Sequence, residues 1–210
     1  MPSDHHGFIP SSEEDLLRRR VKVELRKRMR GLRNALPATA CAERSARIVL
    51  GLRALPVLAA ARAVALFWPM LERREVDLRD VDVWLRNVGC RVAYPVVDQA
   101  TGAMAFRFVD DVRSMKEATL GFREPPEGPE VLPGELDAIV VPALAVDARG
   151  YRIGYGAGFY DRALPSFAPP ASSIAVAFDF QLVAEVPETQ GDTPVGWVVT
   201  DARSLATARL

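Results

Sequence analysis

The chain has 210 residues, 49% of them hydrophobic, enough for one sizeable core and too few for two of ordinary size. Its 27 lysines and arginines offset 27 aspartates and glutamates, so no global charge points to nucleic acid or to an anionic membrane. No apolar run reaches the length of a membrane span, and residues 1–12 are polar where a secretory leader is apolar, so a cytoplasmic protein is expected. Cys41 and Cys90 offer neither metal spacing nor a disulfide framework and read as small packing residues. His5 and His6, the only histidines, fall in the polar leader, which leaves none for catalysis.

In chain order, residues 1–14 read as a flexible tail ahead of a single domain over 15–210. Ser12 followed by Glu13 and Glu14 gives a helix start, with a serine cap and acids in the first turn. Leu17, Val21, Leu25, Met29 and Leu32 recur every three or four residues and predict the buried face of a first helix. Lys22, Arg26, Arg30 and Arg33 run beside them at the same period, a basic stripe that spacing alone reads as a solvated face. Pro37 restarts a second helix through Cys41, Ala46, Val49 and Leu52, ending near Pro56. Residues 63–68 read as a strand broken by Pro69, and Val81, Trp84, Leu85 and Val88 mark a helix that Gly89 stops.

Strands are expected at 91–97 and 104–109, and the Pro/Glu/Gly-rich stretch 121–134 reads as a surface connection or flap. A buried strand at 137–141, a helix at 159–164 and strands at 173–178 and 195–200 complete the series. This alternation predicts an α/β fold, a three-layer sandwich with a mainly parallel sheet flanked by helices on both faces.

Between the strand at 137–141 and the helix at 159–164 lies Gly154-Tyr155-Gly156-Ala157-Gly158-Phe159-Tyr160-Asp161-Arg162. Glycines let backbone N–H groups approach an anion, and a helix N-terminus adds donors and partial positive charge. Asp161 in the first turn suits both the helix dipole and a Mg²⁺ ion shared with phosphate oxygens. The spacing is neither a Walker loop nor a full dinucleotide fingerprint, so from the residues alone a phosphate cradle and a tight turn both stand. Glu75, after a strand and a loop, should emerge on the same edge of the sheet as the glycine loop. Asp192, before the last strand, is a further candidate acid that also suits a turn.

Taken together, these blocks resemble 5-formyltetrahydrofolate cyclo-ligase, also called methenyltetrahydrofolate synthetase. The resemblance runs through Lys22-x-x-Leu25-Arg26 with Arg30 and Arg33, Phe67-Trp68-Pro69 with Glu75-Val76-Asp77, and Gly121-Phe122-x-Glu124-Pro125. It continues through Asp147-x-x-Gly150-x-Arg152-Ile153, the glycine loop to Arg162, and Pro187-x-x-x-x-Asp192. It implies an ATP- and Mg²⁺-dependent enzyme that closes a ring on a folate without a protein nucleophile. The implied ATP contacts are Lys22, Arg26, Arg152, Ile153, Gly154, Tyr155, Gly156, Ala157, Gly158, Phe159 and Tyr160. Trp68 and Glu75, with residues 155–160, would face the folate, and Asp161 and Asp192 would hold Mg²⁺. A small-molecule folate partner, no nucleic acid, no membrane and a monomeric state are implied as well. Ala157, Phe159, Gly191, Gly196 and a slightly longer 71–74 segment depart from the family pattern. The alternative is a non-catalytic folate- and nucleotide-binding relative of the same fold.

Overall fold

A computed structural model of the chain describes residues 13–98, 100–118 and 121–207. Helices α1 (Glu13–Asn34), α2 (Ala38–Arg53) and the one-turn α3 (Pro56–Ala59) precede the first strand, β1 (Ala63–Ala65). Next come α4 (Arg79–Asn87), β2 (Arg91–Val97), β3 (Met104–Phe108), a short hairpin of β4 (Lys116–Glu117) and β5 (Arg123–Glu124), and β6 (Ala138–Pro142). A second ribbon, β7 (Ala145–Val146) and β8 (Arg152–Ile153), leads through the glycine loop into α5 (Phe159–Phe167), followed by β9 (Ser172–Val176), β10 (Trp197–Val199) and β11 (Ser204–Ala206).

The main sheet has the order β11-β10-β9-β6-β1-β2-β3. Its five inner strands are parallel, and β3 and β11 close the two edges antiparallel. Alternating side chains divide the core. Val64, Val92, Val140 and Ile174 pack with α2 and α4 on one face, while Ala65, Ile139, Val141 and Ala175 pack with Leu164 and Phe167 of α5 on the other. This is the expected three-layer α/β sandwich with a mainly parallel sheet.

The chain moves from β1 outward to β2, then crosses back to β6 on the other side of β1. The connections leaving the carboxyl ends of β1 and β6 therefore diverge and open a crevice, the usual ligand position in such sheets.

The structure departs from the sequence-based expectations at several points. The proposed apolar face of α1 is largely in solvent: Leu17, Val21 and Leu32 are 61%, 38% and 46% exposed. The buried positions are Lys22, Met29 and Arg33, because α1 lies against the β7–β8 ribbon instead of the main sheet. Hence the basic stripe is no solvated face; Lys22, Arg26 and Arg33 turn toward the protein. The 121–134 stretch is more than a surface connection, since it supplies β5 and buries Val131. The strand expected over 63–68 is short, and β11 was not foreseen because Ser204-Leu205-Ala206 carries no apolar run. The expected tail, residues 1–14, falls almost wholly outside the described residues, with Glu13 and Glu14 already helical.

Candidate functional site

A cleft of about 760 Å³ opens where the carboxyl ends of β1 and β6 part. Phe67, Trp68, Met70, Arg73 and Glu75 enter it from the loop after β1, and Pro142, Ala143 and Leu144 from the end of β6. Lys22 and Arg26 reach it from α1, the whole 152–162 segment from the glycine loop, and Thr189 to Asp192 from the turn before β10. Every residue assigned from the sequence to ATP, folate or metal lines this one cavity.

The loop is placed by the turn before it. Asp147 is fully buried; its carboxylate accepts from the amides of Arg149, Tyr151 and Val186 at 3.0, 3.1 and 3.0 Å. Gly150 sits at φ 90°, and its carbonyl accepts from Val195 N at 3.0 Å. Neither residue lines the cleft. Their part in the motif is to fold the β7–β8 ribbon so that Arg152 is buried beneath the loop. Arg152 donates to the Thr193 carbonyl at 2.6 Å and to Asp161 Oδ1 at 3.0 Å, and burial pulls its pKa below the usual guanidinium value.

Within the loop, the backbone N–H groups of Gly154, Tyr155, Gly156, Ala157 and Gly158 donate to no acceptor among the described residues. Gly156 and Gly158 take positive φ, whereas Ala157 does not, so an alanine is accommodated there without strain. Arg26 Nε donates to the Gly154 carbonyl at 2.9 Å, and Arg162 donates to Ala157 O and to Gly102 O, each at 2.9 Å. The carbonyls are tied down and the amides are left for an anion.

Lys22 Nζ donates to Asp192 Oδ2 and, at 2.8 Å, to Thr189 Oγ1. Asp192 also accepts from Thr189 N at 2.7 Å. Asp161 and Asp192 are thus each held by a cation, Arg152 and Lys22. Asp161 Oδ2 and Asp192 Oδ1 accept no hydrogen bond among the described residues, and both acids line the cleft. Two carboxylate oxygens with phosphate and water oxygens suit Mg²⁺, which takes few protein ligands. No cluster of three or more acid, histidine or cysteine ligands exists among the described residues.

On the opposite wall, Glu75 is 4% exposed. Its Oε1 accepts from Tyr155 OH at 2.7 Å and its Oε2 from Met70 N at 2.9 Å. Each oxygen keeps a second lone pair for a ligand donor. Burial raises the Glu75 pKa above the usual carboxylate value, opposed by those hydrogen bonds and by Arg33 and Arg73. Tyr155 also accepts from Arg33, and burial followed by Glu75 pushes its hydroxyl up to about 12. Tyr160 shifts upward too, by burial and then by Glu75. Trp68 stands edge-on to Tyr94 at 6.0 Å, and Arg123 of β5 lies 5.4 Å over its ring.

A pH dependence follows from Glu75. Because its folded pKa is raised, the native state holds more protons than the unfolded chain between the two values, so stability falls as pH rises through that window. In urea titrations across mildly acid to neutral pH, Glu75→Gln should fall less steeply than wild type. Parallel curves would contradict the assigned burial.

Sequence reasoning passed over several cleft residues. Arg162 and Phe122 stand in the resembling blocks without an assigned role, Thr189 lies in a polar run, and Arg73 sits in a segment read as a loop. The one available signal was nearness in sequence, since each lies within three residues of a position already singled out.

A model described as the 5-formyltetrahydrofolate cyclo-ligase family matches residues 18–201. The chain belongs to that family. As a cyclo-ligase family member it is an enzyme, a ligase. It is 47% identical over 96 residues to the 5-formyltetrahydrofolate cyclo-ligase of Mycolicibacterium smegmatis, an alignment spanning 44% of this chain and 48% of that relative. The Escherichia coli K12 cyclo-ligase is 31% identical over 152 residues, 70% of this chain and 82% of the relative. The solution structure of Aquifex aeolicus 5,10-methenyltetrahydrofolate synthetase superposes with a TM-score of 0.79 at 29% identity, covering 90% of this chain and 94% of that one. A Mycoplasma pneumoniae 5,10-methenyltetrahydrofolate synthetase shares the fold at a TM-score of 0.69 and 22% identity, over 86% of this chain and 98% of that one.

Proposed function

We propose that this cyclo-ligase family member converts 5-formyltetrahydrofolate into 5,10-methenyltetrahydrofolate, using Mg²⁺ and ATP and releasing ADP and phosphate. The observation that carries this reading is Tyr155. It belongs to the glycine loop, and its hydroxyl donates to Glu75 on the opposite wall, so one residue would touch both proposed substrates.

A formamide carbon is a poor electrophile, and its oxygen is a poor leaving group. In the proposed reaction the formyl oxygen attacks the γ-phosphorus of ATP, forming an O–P bond as the bond to ADP breaks. N10 then adds to the activated carbon, the C–O bond breaks, and phosphate departs with the original formyl oxygen while N10 gives up its proton.

The residues act mainly by positioning and by balancing charge, which is what phosphoryl transfer requires. Lys22, Arg26 and the five free loop amides bind the phosphates. Buried Arg152 holds Asp161 in place. Trp68 and Tyr160 supply aromatic surface for the pterin, and Glu75 accepts from its ring nitrogens. Asp161 and Asp192 would hold Mg²⁺, which when bound offsets negative charge across the transferring phosphates.

The test is direct: with protein, Mg-ATP and 5-formyltetrahydrofolate, the methenyl absorbance should grow only when ATP is present, with one ADP per product. No ATP-dependent absorbance would refute the reading. Asp161→Asn keeps an acceptor for Arg152 but removes a charge. It should raise the Mg²⁺ concentration for half-maximal rate by roughly 10–100-fold, and an unchanged Mg²⁺ dependence would remove Asp161 from the metal site.

A further inference from the structure

Arg162 ends the glycine loop motif and stands in the first turn of α5, where its own amide donates to Gly158 O at 3.1 Å. A cation is unfavourable there, because a helix N-terminus already carries partial positive charge. No carboxylate pairs with Arg162 among the described residues. Its guanidinium instead folds back over the end of its own helix, with the central carbon 5.6 Å from the centroid of the Phe159 ring.

Two backbone carbonyls hold it there. Nη1 donates to Ala157 O and Nη2 to Gly102 O, each at 2.9 Å. The acceptors belong to separate parts of the fold: Ala157 to the loop after β8, and Gly102 to the turn between β2 and β3, strands that bring Val97 and Met104 into the cleft. Gly158 makes room for the fork. A Cβ on it would lie 3.0 Å from Nη1, and its φ of 68° already favours glycine.

The consequence follows from the planarity of the peptide bond. In a trans peptide the C=O and the next N–H point in opposite directions. Fixing Ala157 O therefore fixes the direction of Gly158 N–H, which donates to no acceptor among the described residues. Arg26, through Gly154 O, does the same for the Tyr155 amide. Without the fork, the glycines on either side of Ala157 would leave this peptide plane free to turn.

We propose that Arg162 is a positioning residue for phosphoryl transfer: by holding the Ala157 carbonyl it aims the Gly158 amide at the transferring phosphate, and its second Nη braces that arrangement against Gly102. The role rests on the ATP reading above and adds to it a residue that acts through the backbone. A single ammonium cannot reproduce the two donors of a planar fork, so charge alone does not replace Arg162. A correctly aimed amide matters most as charge develops in the transition state, whereas Lys22, Arg26 and the other loop amides remain to bind the ground state.

Arg162→Lys keeps the charge and Arg162→Gln removes it. Each should lower kcat by roughly 10–100-fold, while Kd for Mg-bound adenylyl imidodiphosphate, a non-hydrolysable ATP analogue, stays within about threefold of wild type. The urea midpoint should be unchanged, since the side chain is exposed. Backbone amide NMR reads the positioning itself. On saturation with the analogue, the Gly156 and Gly158 N–H signals of the wild type should move downfield as they meet phosphate oxygens. In both variants Gly156 should move as in wild type and Gly158 less than about half as far.

Equal displacement of Gly158 in the wild type and both variants would overturn the positioning role. So would a kcat kept in Arg162→Lys and lost in Arg162→Gln, which would make Arg162 a charge facing the phosphates. A fall in urea midpoint that tracks the loss of rate would reduce it to a structural brace. Displacement of Gly158 that depends on Arg162, in a protein that does not turn over 5-formyltetrahydrofolate, would keep the role and end the proposed reaction. No displacement of any loop amide in the wild type would end both.

Discussion

Gly150→Ala is expected to destabilise the fold by about 3 kcal/mol or more, although the residue touches no substrate. A Cβ at Gly150 would lie 2.3 Å from the Val195 carbonyl oxygen and 3.1 Å from Val195 N. Both are backbone atoms in a buried pairing, so neither can swing away like a flexible side chain. The φ of 90° adds strain of its own for any residue with a side chain. Relief requires the β7–β8 turn to separate from the segment before β10, and that turn carries Arg152 and the glycine loop. Chemical denaturation should show a lower midpoint, with activity lost in parallel. A variant as stable as wild type would mean that the Asp147–Gly150 turn does not govern the loop.

Lys22→Met is the counterpart inside the site, and is expected to lower kcat/KM for ATP by roughly 10²–10³-fold. The side chain is only 11% exposed, and its ammonium joins Asp192 to Thr189. Its removal takes away a proposed phosphate contact and leaves Asp192 without its cation. Some stability should go as well, on the order of 1–3 kcal/mol for a partly buried charged partner. A double-variant cycle with Asp192→Asn separates the two effects. If Lys22 acts only by holding Asp192, the double variant should be no worse than Asp192→Asn alone. If Lys22 also meets the phosphates, a further loss should appear. Unchanged kinetics in Lys22→Met would remove α1 from the ATP site.

The elements that proved readable are the strands buried on both faces. Residues 91–97 and 137–141 are apolar runs because both sheet faces are covered, and they correspond to β2 and β6. The order of strands and helices then implied the parallel sheet. The role of α1 was misread for a physical reason. Periodicity arguments take apolar residues to be buried, but this helix turns Lys22 and Arg33 inward to serve a polar cleft, and Leu17 and Leu32 remain outside.

The glycine loop was ambiguous because spacing does not reveal which amides are free. That depends on Arg26, distant in sequence from the Gly154 carbonyl it holds, and on Arg162, which ties the Ala157 carbonyl of the loop to the remote Gly102 carbonyl. Glu75 and Tyr155, eighty residues apart, likewise had no local signal for their contact. Ala157 looked like a defect in the motif until its backbone angle was known. The family resemblance supplied what spacing could not, because it grouped residues that the fold alone brings together.

In the proposed reaction, one cleft brings a phosphate donor to the formyl oxygen of a folate. A formyl oxygen labelled with a heavy isotope tests it most directly, since the label marks the atom that is to be phosphorylated. After one turnover with Mg-ATP, the label should be found in inorganic phosphate. Label released into water, with unlabelled phosphate, would contradict the account.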